Sequence, residues 1–386
     1  MSMIESAGTR LSSTGADNEG LVCLALFGDV MTGRAIDQIL PHPGDPVLYE
    51  AYVRDARDYI KLAESASGPI PCPVGYEYIW GDMLPELAGA RTDVRIVNLE
   101  TSITSSDHHW PDKAIHYRMH PLNIGCITVA RIDCCCLANN HVLDWGYNGL
   151  AETLRTLDAA GVAHAGAGLN AAEAASPVVI DRGAKGRVLV FAFGSTTSGI
   201  LWQWAATDDR PGVNLLRDLS EDTARAIASQ MSSFRRFGDI IIASIHWGSN
   251  WDYDVPDEQI RFARLLIEGG IDIVHAHSSH HVKPFEVYQD RLILYGCGDF
   301  LNDYEGIGGY ERFRSDLALI YLTTLDPADG RLLDLRLVPM QVKHFRLDRS
   351  LPSDTHWLCS LLNGLGAPFN VRVRMLDDNT MGLIRR

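Results

Sequence analysis

The sequence predicts an α/β fold in which strands and helices alternate along most of the chain. Apolar runs of strand length recur and end on polar or glycine-rich turns. The stretches between them show helical spacing of their apolar residues. The chain has 386 residues, of which 46% are hydrophobic, so it can bury a large core. Strands that alternate with helices favour a sheet covered by helices.

The predicted strands are almost continuously apolar, which is typical of strands covered on both faces. They are LVCLALFGD (21–29), VRIVNLE (94–100), CITVARIDCCCLANNH (126–141), RVLVFAFGS (187–195), DIIIASIHWGS (239–249), IDIVHAH (271–277) and RLILYGCGDF (291–300). Two later runs, at 315–326 and 331–342, predict an antiparallel pair joined by a turn at PADG.

The predicted helices lie between these strands, at 51–66, 148–162, 219–238 and 256–270. The last of them begins with Pro256, Asp257 and Glu258 and ends on two glycines, as helix termini commonly do. Near the end of the chain, residues 354–364 predict a further helix and NVRVRML (370–376) a further strand.

The composition disfavours nucleic-acid partners and indicates where the protein is found. The formal net charge is −15, which disfavours nucleic acid and other extended polyanions as surface partners. The sequence contains no run of about 18 apolar residues, so no membrane span is predicted. Residues 1–19 are polar and lack the apolar core of a signal peptide, so we expect a disordered tail on a cytoplasmic protein. The eight cysteines show no regular spacing and are expected to be reduced thiols.

Residues able to bind a metal follow most of the predicted strands. They are Asp29, Glu100, Asn140 with His141, His246, and His277 with His280. In open α/β sheets the ligand site lies beyond the carboxyl ends of the strands. Carboxylate, amide and imidazole groups together suit a divalent ion such as zinc, manganese, iron or cobalt.

The order of these motifs resembles the CapA-like, poly-γ-glutamate capsule-synthesis family of the calcineurin-like metallophosphoesterase superfamily. The matching segments are GDVMTGR (28–34), NLETS (98–102), LANNHVLDWG (137–146), HAGAG (164–168), IHWG (245–248), HAHSSHH (275–281) and YGCGDF (295–300). The resemblance implies a four-layer α-β-β-α sandwich with metal at the sheet edge, over residues 20–345. Residues 346–386 are then expected to form a C-terminal extension packed on the core, or a homodimer contact.

The resemblance also implies which residues hold the metal. One four-ligand set is implied, consisting of Glu100, Asn140, His246 and His277. A second set would include Asp29 and His280, but Met31 stands where the superfamily has a histidine. A thioether is a poor ligand for these ions, so the second site is predicted to be weak or absent. His275 is expected on the opposite strand face, away from the metal.

The remaining polar groups are predicted to move protons or to bind substrate. A single metal can still polarise a carbonyl or lower the pKa of a water molecule to roughly 7. The candidate acid and base groups are His141, Asp29, His280 and His281. The candidate substrate-binding residues are Arg118, His116, His120 and Asp299, with Arg118 as a two-pronged donor to a carboxylate.

Three functions are consistent with these residues. The main hypothesis is a metal-dependent acid/base enzyme that acts on a peptide, most simply an epimerase like those of lasso-peptide pathways. The alternative is a metal-dependent hydrolase of a phosphoester or of an amide such as a γ-glutamyl bond. The third is an accessory role in poly-γ-glutamate or capsule synthesis, which the charge of −15 disfavours because that polymer is itself anionic.

Overall fold

The computed structural model describes residues 20–385, so the predicted N-terminal tail (1–19) lies outside the described residues. The strands are β1 (Val22–Val30), β2 (Val94–Leu99), β3 (Ser102–Ile103), β4 (Arg118–Met119), β5 (Cys134–Cys136), β6 (Ala163–Ala165), β7 (Ala167–Gly168), β8 (Val178–Asp181), β9 (Arg187–Gly194), β10 (Gly212–Val213), β11 (Ile240–His246), β12 (Ile273–His277), β13 (Phe285–Tyr288), β14 (Arg291–Leu294), β15 (Asp299–Leu301), β16 (Leu317–Leu325), β17 (Leu332–Lys343), β18 (Arg346–Arg349), β19 (Val373–Met375) and β20 (Met381–Leu383).

The α-helices mostly fill the predicted intervals between these strands. They are α1 (Ala35–Ile39), α2 (Arg57–Ser67), α3 (Met83–Ala90), α4 (Gly125–Val129), α5 (Gly146–Ala159), α6 (Ala171–Ala175), α7 (Glu221–Ser232), α8 (Asp257–Glu268) and α9 (Pro352–Gly366). Within residues 20–385, no helix is both long and apolar enough to cross a membrane.

Two sheets form the centre of the molecule. The larger has the order β19-β20-β17-β16-β1-β2-β5-β6, with β15 paired to β1 and β18 paired to β17. The smaller has the order β13-β14-β12-β11-β9-β8. Strands β1, β2, β5 and β6 run parallel, as do β9, β11, β12 and β14, so their carboxyl ends lie at common edges.

The two faces of the smaller sheet belong to different layers of the core. Val188, Val190 and Ile242 point into the main core, which they share with the larger sheet. The alternate residues, such as Phe191 and Ile241, pack in a second core with helices α7 and α8. This alternation follows from the two-residue period of a strand. Helices α3 and α5 pack into the main core with the larger sheet, which confirms the predicted α-β-β-α order.

Two predicted strands are shorter than their apolar runs. Only Cys134–Cys136 of the segment 126–141 is a strand, because residues 125–129 form helix α4 instead. The segment 291–300 is divided into β14 and β15, which belong to different sheets. An apolar run of this length does not separate a buried strand from a buried helix, so both boundaries depended on tertiary packing.

The C-terminal residues extend the larger sheet. Strands β18 and β20 both pair antiparallel with β17, and β19 pairs with β20. The expected extension therefore shares hydrogen bonds with the core sheet, and α9 contacts β19. The alternative of a homodimer contact stays a prediction.

Gly28 allows the close approach of β1 to the turn before β15. A Cβ atom at this position would lie 1.7 Å from the carbonyl oxygen of Gly298. We expect Gly28→Ala to lower the free energy of unfolding by about 3 kcal/mol, since backbone must move to relieve the overlap. Gly89→Ala in α3 is the control, because the Cβ atom that this substitution adds has no other atom within 4 Å. Urea denaturation of both variants measures the difference, and equal stability would contradict the close approach.

Candidate metal centre

Strand register brings the predicted residues to one place. His246 and His277 are register partners at the ends of β11 and β12. In the facing sheet, Asp29 is the partner of Asn98 on β2 and of Asp299 on β15. The register of β1 with β2 shifts between Leu26 and Asp29, an irregularity of the kind that re-aims side chains near functional sites. The candidate site therefore lies between the sheets, at their carboxyl edges.

Three side chains form a compact cluster of metal-ligand type. Asp29, His246 and His277 each offer a ligand atom, and these atoms lie within 4.8 Å of one another. The two histidine Nδ1 atoms are 2.9 Å apart, and His277 Nδ1 lies 3.7 Å from Asp29 Oδ1. All three side chains are buried. Asp29 was expected to share a second metal set with His280. The structure instead places it beside His246 and His277, two members of the four-ligand set.

A chain of hydrogen bonds fixes the orientation of the His277 ring. His275 Nε2 lies 2.7 Å from the carbonyl oxygen of Phe27 and donates to it. Ser244 Oγ lies 3.2 Å from His275 Nδ1 and 2.9 Å from His277 Nε2. The consistent assignment has His277 Nε2 donating to Ser244, which donates to His275. His277 therefore directs the unprotonated Nδ1 at the cluster, as a metal ligand requires.

The position of His275 differs from the prediction. Residues two apart on a strand share a face, so His275 lies on the same face as His277 and not on the opposite one. Their ring centroids are 5.4 Å apart. His275 is buried and takes no part in the three-residue cluster, but it sets the tautomer of the ring that does.

Glu100 and Asn140 adjoin the cluster through His246. Asn140 Oδ1 lies 2.9 Å from His246 Nε2, and Glu100 Oε1 lies 3.9 Å from the same nitrogen. Asn98 donates to Asp29 Oδ1 at 2.7 Å and to Glu100 Oε2 at 3.3 Å, which holds the two carboxylates near each other. The four predicted ligands and Asp29 thus lie together in one site, where all but the partly exposed Asn140 are buried.

The buried carboxylates have an unfavourable electrostatic environment without a cation. Burial and the neighbouring Asp299 carboxylate raise the pKa of Asp29 to about 7. Burial and the Asp29 charge also raise the pKa of Glu100 well above its ordinary value. A bound divalent cation would favour the ionised form of both groups. The donor set, its burial and these shifts all fit a divalent metal ion.

His141 is oriented by a buried ion pair. Its Nδ1 lies 2.7 Å from Asp144 Oδ2, while its Nε2 faces the cluster at 3.8 Å from Glu100 Oε1. Lys113 Nζ lies 2.6 Å from Asp144 Oδ1 and 3.0 Å from His141 Nδ1. Burial lowers the pKa of His141 to about 4 against the opposing effect of Asp144. His141 is therefore a neutral imidazole whose Nε2 can accept a proton at neutral pH.

His280 lies at the boundary between the cluster and the open cavity. Its Nδ1 is 2.9 Å from Asp299 Oδ1, and its Nε2 is 2.9 Å from Asn250 Nδ2. Burial alone would lower the pKa of His280, but the Asp299 carboxylate outweighs burial and raises it. Asp299, predicted to bind substrate, instead accepts hydrogen bonds from His280 and from Asn302.

His281 differs from its predicted role in proton transfer. Its Nε2 accepts a hydrogen bond from the backbone of Asp252, and its Nδ1 lies 3.3 Å from the carbonyl oxygen of Val282. The ring also stacks on Phe313. Both nitrogens are engaged by backbone, so His281 positions the loop after β12 and does not face the cluster.

The three predicted substrate-binding residues of segment 116–120 are likewise engaged in the fold. Arg118 donates to the backbone carbonyls of Ser106 and Asp45. His116 bonds to the carbonyl of Trp110, and His120 accepts from the backbone of Leu122. These contacts hold loops in place, and they leave the Arg118 guanidinium buried away from the cluster.

Several site residues escaped the sequence prediction. Asn98 and Asp144 lie within quoted motifs, and the three-residue spacing of His141 and Asp144 in a turn was a usable signal. Arg34 ends the GDVMTGR motif and has a φ of 48°, an uncommon backbone conformation for a residue other than glycine. It faces a cavity of about 810 Å³ that reaches His280. Nothing in the sequence around Lys113 indicated its position.

Two facing sheets flanked by helices carry carboxylate, amide and imidazole groups at a shared strand edge, in agreement with the predicted α-β-β-α sandwich. The chain belongs to the PGA_cap family, whose model, described as "Bacterial capsule synthesis protein PGA_cap", matches residues 23–304. The match confirms the predicted family and covers the cluster residues. It ends before β16 and β17, which the prediction had included.

Relatives of known name carry related descriptions. A "Probable polyglutamine synthesis accessory protein" of Mycobacterium tuberculosis is 46% identical over 370 residues, which cover 96% of this chain and 97% of the relative. The "PGA biosynthesis protein CapA" of Bacillus subtilis is 25% identical, over 81% of this chain and 70% of the relative. A 5'-nucleotidase precursor from Thermus thermophilus has a TM-score of 0.44 at 14% identity, over 90% of this chain and 59% of that structure.

Proposed function

We propose that the chain is an accessory enzyme of glutamate- or glutamine-polymer synthesis that hydrolyses amide bonds with the help of a divalent metal. One observation carries the catalytic part: the buried Asp29–His246–His277 cluster adjoins an open cavity of about 810 Å³ through His280. The family and the names of its relatives support the accessory part. A peptide-type substrate and the exclusion of nucleic acid remain predictions.

The metal would be held by Asp29, His246 and His277, with Glu100 and Asn140 beside them. When bound, it would supply Lewis acidity toward a carbonyl oxygen and an attacking water. Zinc, manganese, iron and cobalt all suit this donor set. Met31 is buried directly after β1, where the resemblance calls for a histidine ligand. A thioether is a poor ligand for these ions, which disfavours a second ion and phosphoester hydrolysis by a metal pair.

The protein's own residues would move the proton. Neutral His141 would take a proton at Nε2 from the attacking water and return it to the leaving nitrogen as the C–N bond breaks. Asp144 would stabilise the imidazolium formed in between, since it lies 2.7 Å from His141 Nδ1. His280, held by Asp299, lies where substrate would enter from the cavity.

Epimerisation, the main hypothesis from the sequence, gains no support from the Mycobacterium tuberculosis and Bacillus subtilis relatives, whose names concern polymer synthesis. It requires two acid/base groups on opposite sides of one Cα atom. His280 lines the open cavity, whereas His141 faces the cluster with its Nε2 at 3.8 Å from Glu100 Oε1. The hydrolase proposal has broader support because one proton-transfer residue is sufficient for it.

The test uses the zinc- or manganese-loaded protein with short oligomers of glutamate, α-linked or γ-linked, and with short α-linked oligomers of glutamine. Digestion in H₂¹⁸O should give shorter chains with ¹⁸O in the new carboxyl group, and chelation should abolish this. Deuterium at a Cα atom in D₂O without cleavage would select epimerisation. Release of phosphate from phosphoester substrates would select a phosphoesterase. A loaded protein that gives none of these products would overturn the enzyme proposal in favour of a non-catalytic accessory role.

Lys113→Met tests how His141 is oriented. The change removes the ammonium group that pairs with Asp144, so His141 should lose its fixed geometry. We expect turnover to fall about 100-fold, within the range of a general acid–base contribution, with metal content unchanged. Lys185→Met is the control, since Lys185 pairs with Asp93 in a partly exposed ion pair outside the site. Equal turnover in the two variants would show that Lys113 has no part in the reaction.

A further inference from the structure

The cavity beside the metal cluster has an aromatic and amide-rich wall. Its volume is about 810 Å³, and it extends from His280 and Asn250 toward β17. The rings that line it are Tyr59, Tyr117, Trp251, Tyr304 and Tyr310. Trp251 and Tyr310 stack at a centroid distance of 4.0 Å and an interplanar angle of 9°. The wall therefore offers flat apolar surfaces to a chain that passes along it.

The guanidinium of Arg34 offers no net positive charge to this cavity. It is paired with Glu50 at 3.0 Å and with both carboxylate oxygens of Asp303. The Tyr59 and Tyr117 rings cover it at centroid distances of 4.0 and 4.5 Å. Two carboxylates already surround the one cation, so a further carboxylate from a substrate would be repelled there.

Arg314, at the other side of the cavity, is neutralised in the same way. It lies 2.8 Å from Asp316 and 3.0 Å from Asp354. Lys343 makes no ion pair with the residues that the structure describes, and Glu305 and Glu311 add two carboxylates to the wall. Arginine and lysine together equal aspartate and glutamate in number on the wall, and His280 is paired with Asp299, so the wall lacks the excess of cations that a polyanion requires.

Amide groups supply the remaining polar contacts of the wall. Gln341 donates through Nε2 to Asp316 at 2.9 Å, and Asn302 donates to Asp299 at 2.8 Å. The hydroxyls of Tyr59 and Tyr117 donate to Glu50 and Asp303, so Gln341 Oε1 and the Tyr310 hydroxyl remain as partners for amide groups of a ligand. Hydrogen-bonding groups without net charge, set among rings, are complementary to a polar but uncharged chain.

We propose that this cavity binds an uncharged polyamide segment with glutamine-type side chains and discriminates against the corresponding polyglutamate. The proposal rests on the proposed function in that it names the substrate class of that site. Lys343 serves the single carboxylate at the end of such a chain, since one unpaired cation suits one carboxylate. The net charge of −15 on the whole chain also disfavours binding of the anionic polyglutamate.

Fluorescence anisotropy with the zinc-loaded full chain tests this discrimination. The probes are two labelled pentamers of equal length and linkage, one of glutamine and one of glutamate. We expect the glutamine pentamer to bind about tenfold more tightly at low ionic strength, a difference that added salt reduces. Equal affinities, or tighter binding of the glutamate pentamer, would overturn the proposal.

Charge reversal on the wall supplies a second measurement. Glu311→Lys should improve binding of the glutamate pentamer about fivefold and leave the glutamine pentamer within about twofold. Asp222→Lys, an equal charge change on the exposed face of α7, is the matched control and should have little effect. A matching improvement in the control would show that overall charge, and not the cavity, decides affinity. That outcome contradicts the proposal.

The two proposals fail in different ways. A glutamine preference in binding without cleavage of either pentamer would remove only the hydrolase proposal. Metal-dependent cleavage of both pentamers, with equal affinity, would remove only the discrimination proposed for the cavity.

Lys343→Met tests recognition of the chain end. The variant should bind pentamers with a free carboxylate more weakly and bind amidated pentamers as the wild type does. Loss of binding for both forms would contradict the role given to Lys343.

Discussion

Replacing His277 with alanine is expected to abolish tight metal binding and, with it, metal-dependent activity. His277 supplies one of three ligand-type side chains within 4.8 Å of one another. Loss of an outer hydrogen-bonding partner already weakens metal sites about 10–100-fold, so loss of a ligand should exceed 100-fold. Removing the transition-state stabilisation of the ion, several kcal/mol, corresponds to a fall in turnover of about a thousandfold. Elemental analysis of the purified protein measures the metal content directly.

His164→Ala is the matched control for that experiment. His164 is the middle residue of β6, in the HAGAG motif, and its ring bonds to Asp158 outside the cluster. It should retain metal and activity. Circular dichroism melts of both variants separate metal loss from unfolding, because His277→Ala also removes a buried side chain. Full metal occupancy in a folded His277→Ala protein would show that the ion is held elsewhere.

The metal-free protein should lose stability through Asp29 as the pH rises. The pKa of Asp29 is about 7 in the folded chain, mainly because of burial, and 3.8 in the unfolded reference. The folded state therefore binds more protons between these values, and the free energy of unfolding falls as the pH rises from 3.8 to about 7. The full effect is about 4 kcal/mol in order of magnitude. Asp29→Asn should lack it, because an amide does not ionise.

Urea denaturation of metal-free wild type and Asp29→Asn at several pH values measures this difference. Buried histidines such as His141 titrate in both proteins, so their contributions largely cancel in the comparison. Asp239→Asn is the control, because hydrogen bonds from Arg187 and the backbone of Arg236 outweigh burial and lower the pKa of Asp239. Its difference from wild type should be constant above about pH 4 and shrink only below it. A constant difference for Asp29→Asn as well would contradict the raised pKa of Asp29 in the folded protein.

A bound divalent ion should remove the fall in the stability of the wild type with rising pH. With zinc or manganese present, the ionised form of Asp29 is favoured and the stability of the wild type should no longer fall toward about pH 7. The same ion should stabilise Asp29→Asn much less, since an amide oxygen is a weaker ligand. Thermal melts with and without the ion, at about pH 5 and pH 7, give this comparison.

Much of the fold and of the candidate site was predictable from the sequence. The apolar runs placed β1, β9, β11 and β12 within a few residues because covered strands carry few polar groups. The polar residues that end them indicated the strand edge where Asp29, Glu100, His246 and His277 lie. Motif order indicated the family. These features are local, and short-range patterns of hydrophobicity determine them.

The sequence did not show which polar groups face each other. His281, Arg118, His116 and His120 were equally plausible from their residue types, yet backbone groups engage each of them. Lys113 had no local signal, although it completes the ion pair behind His141.

The sequence by itself determined the α/β class, the family and the strand ends that carry metal-binding groups. Only the tertiary structure decided that Asp29 joins His246 and His277, that Ser244 and His275 orient the His277 ring, and that Arg34 is neutralised inside a cavity. The physical reason is that residue type and spacing specify what a side chain can do. Its partners and its burial depend on contacts between segments far apart in the chain, and these fix its ionisation and orientation.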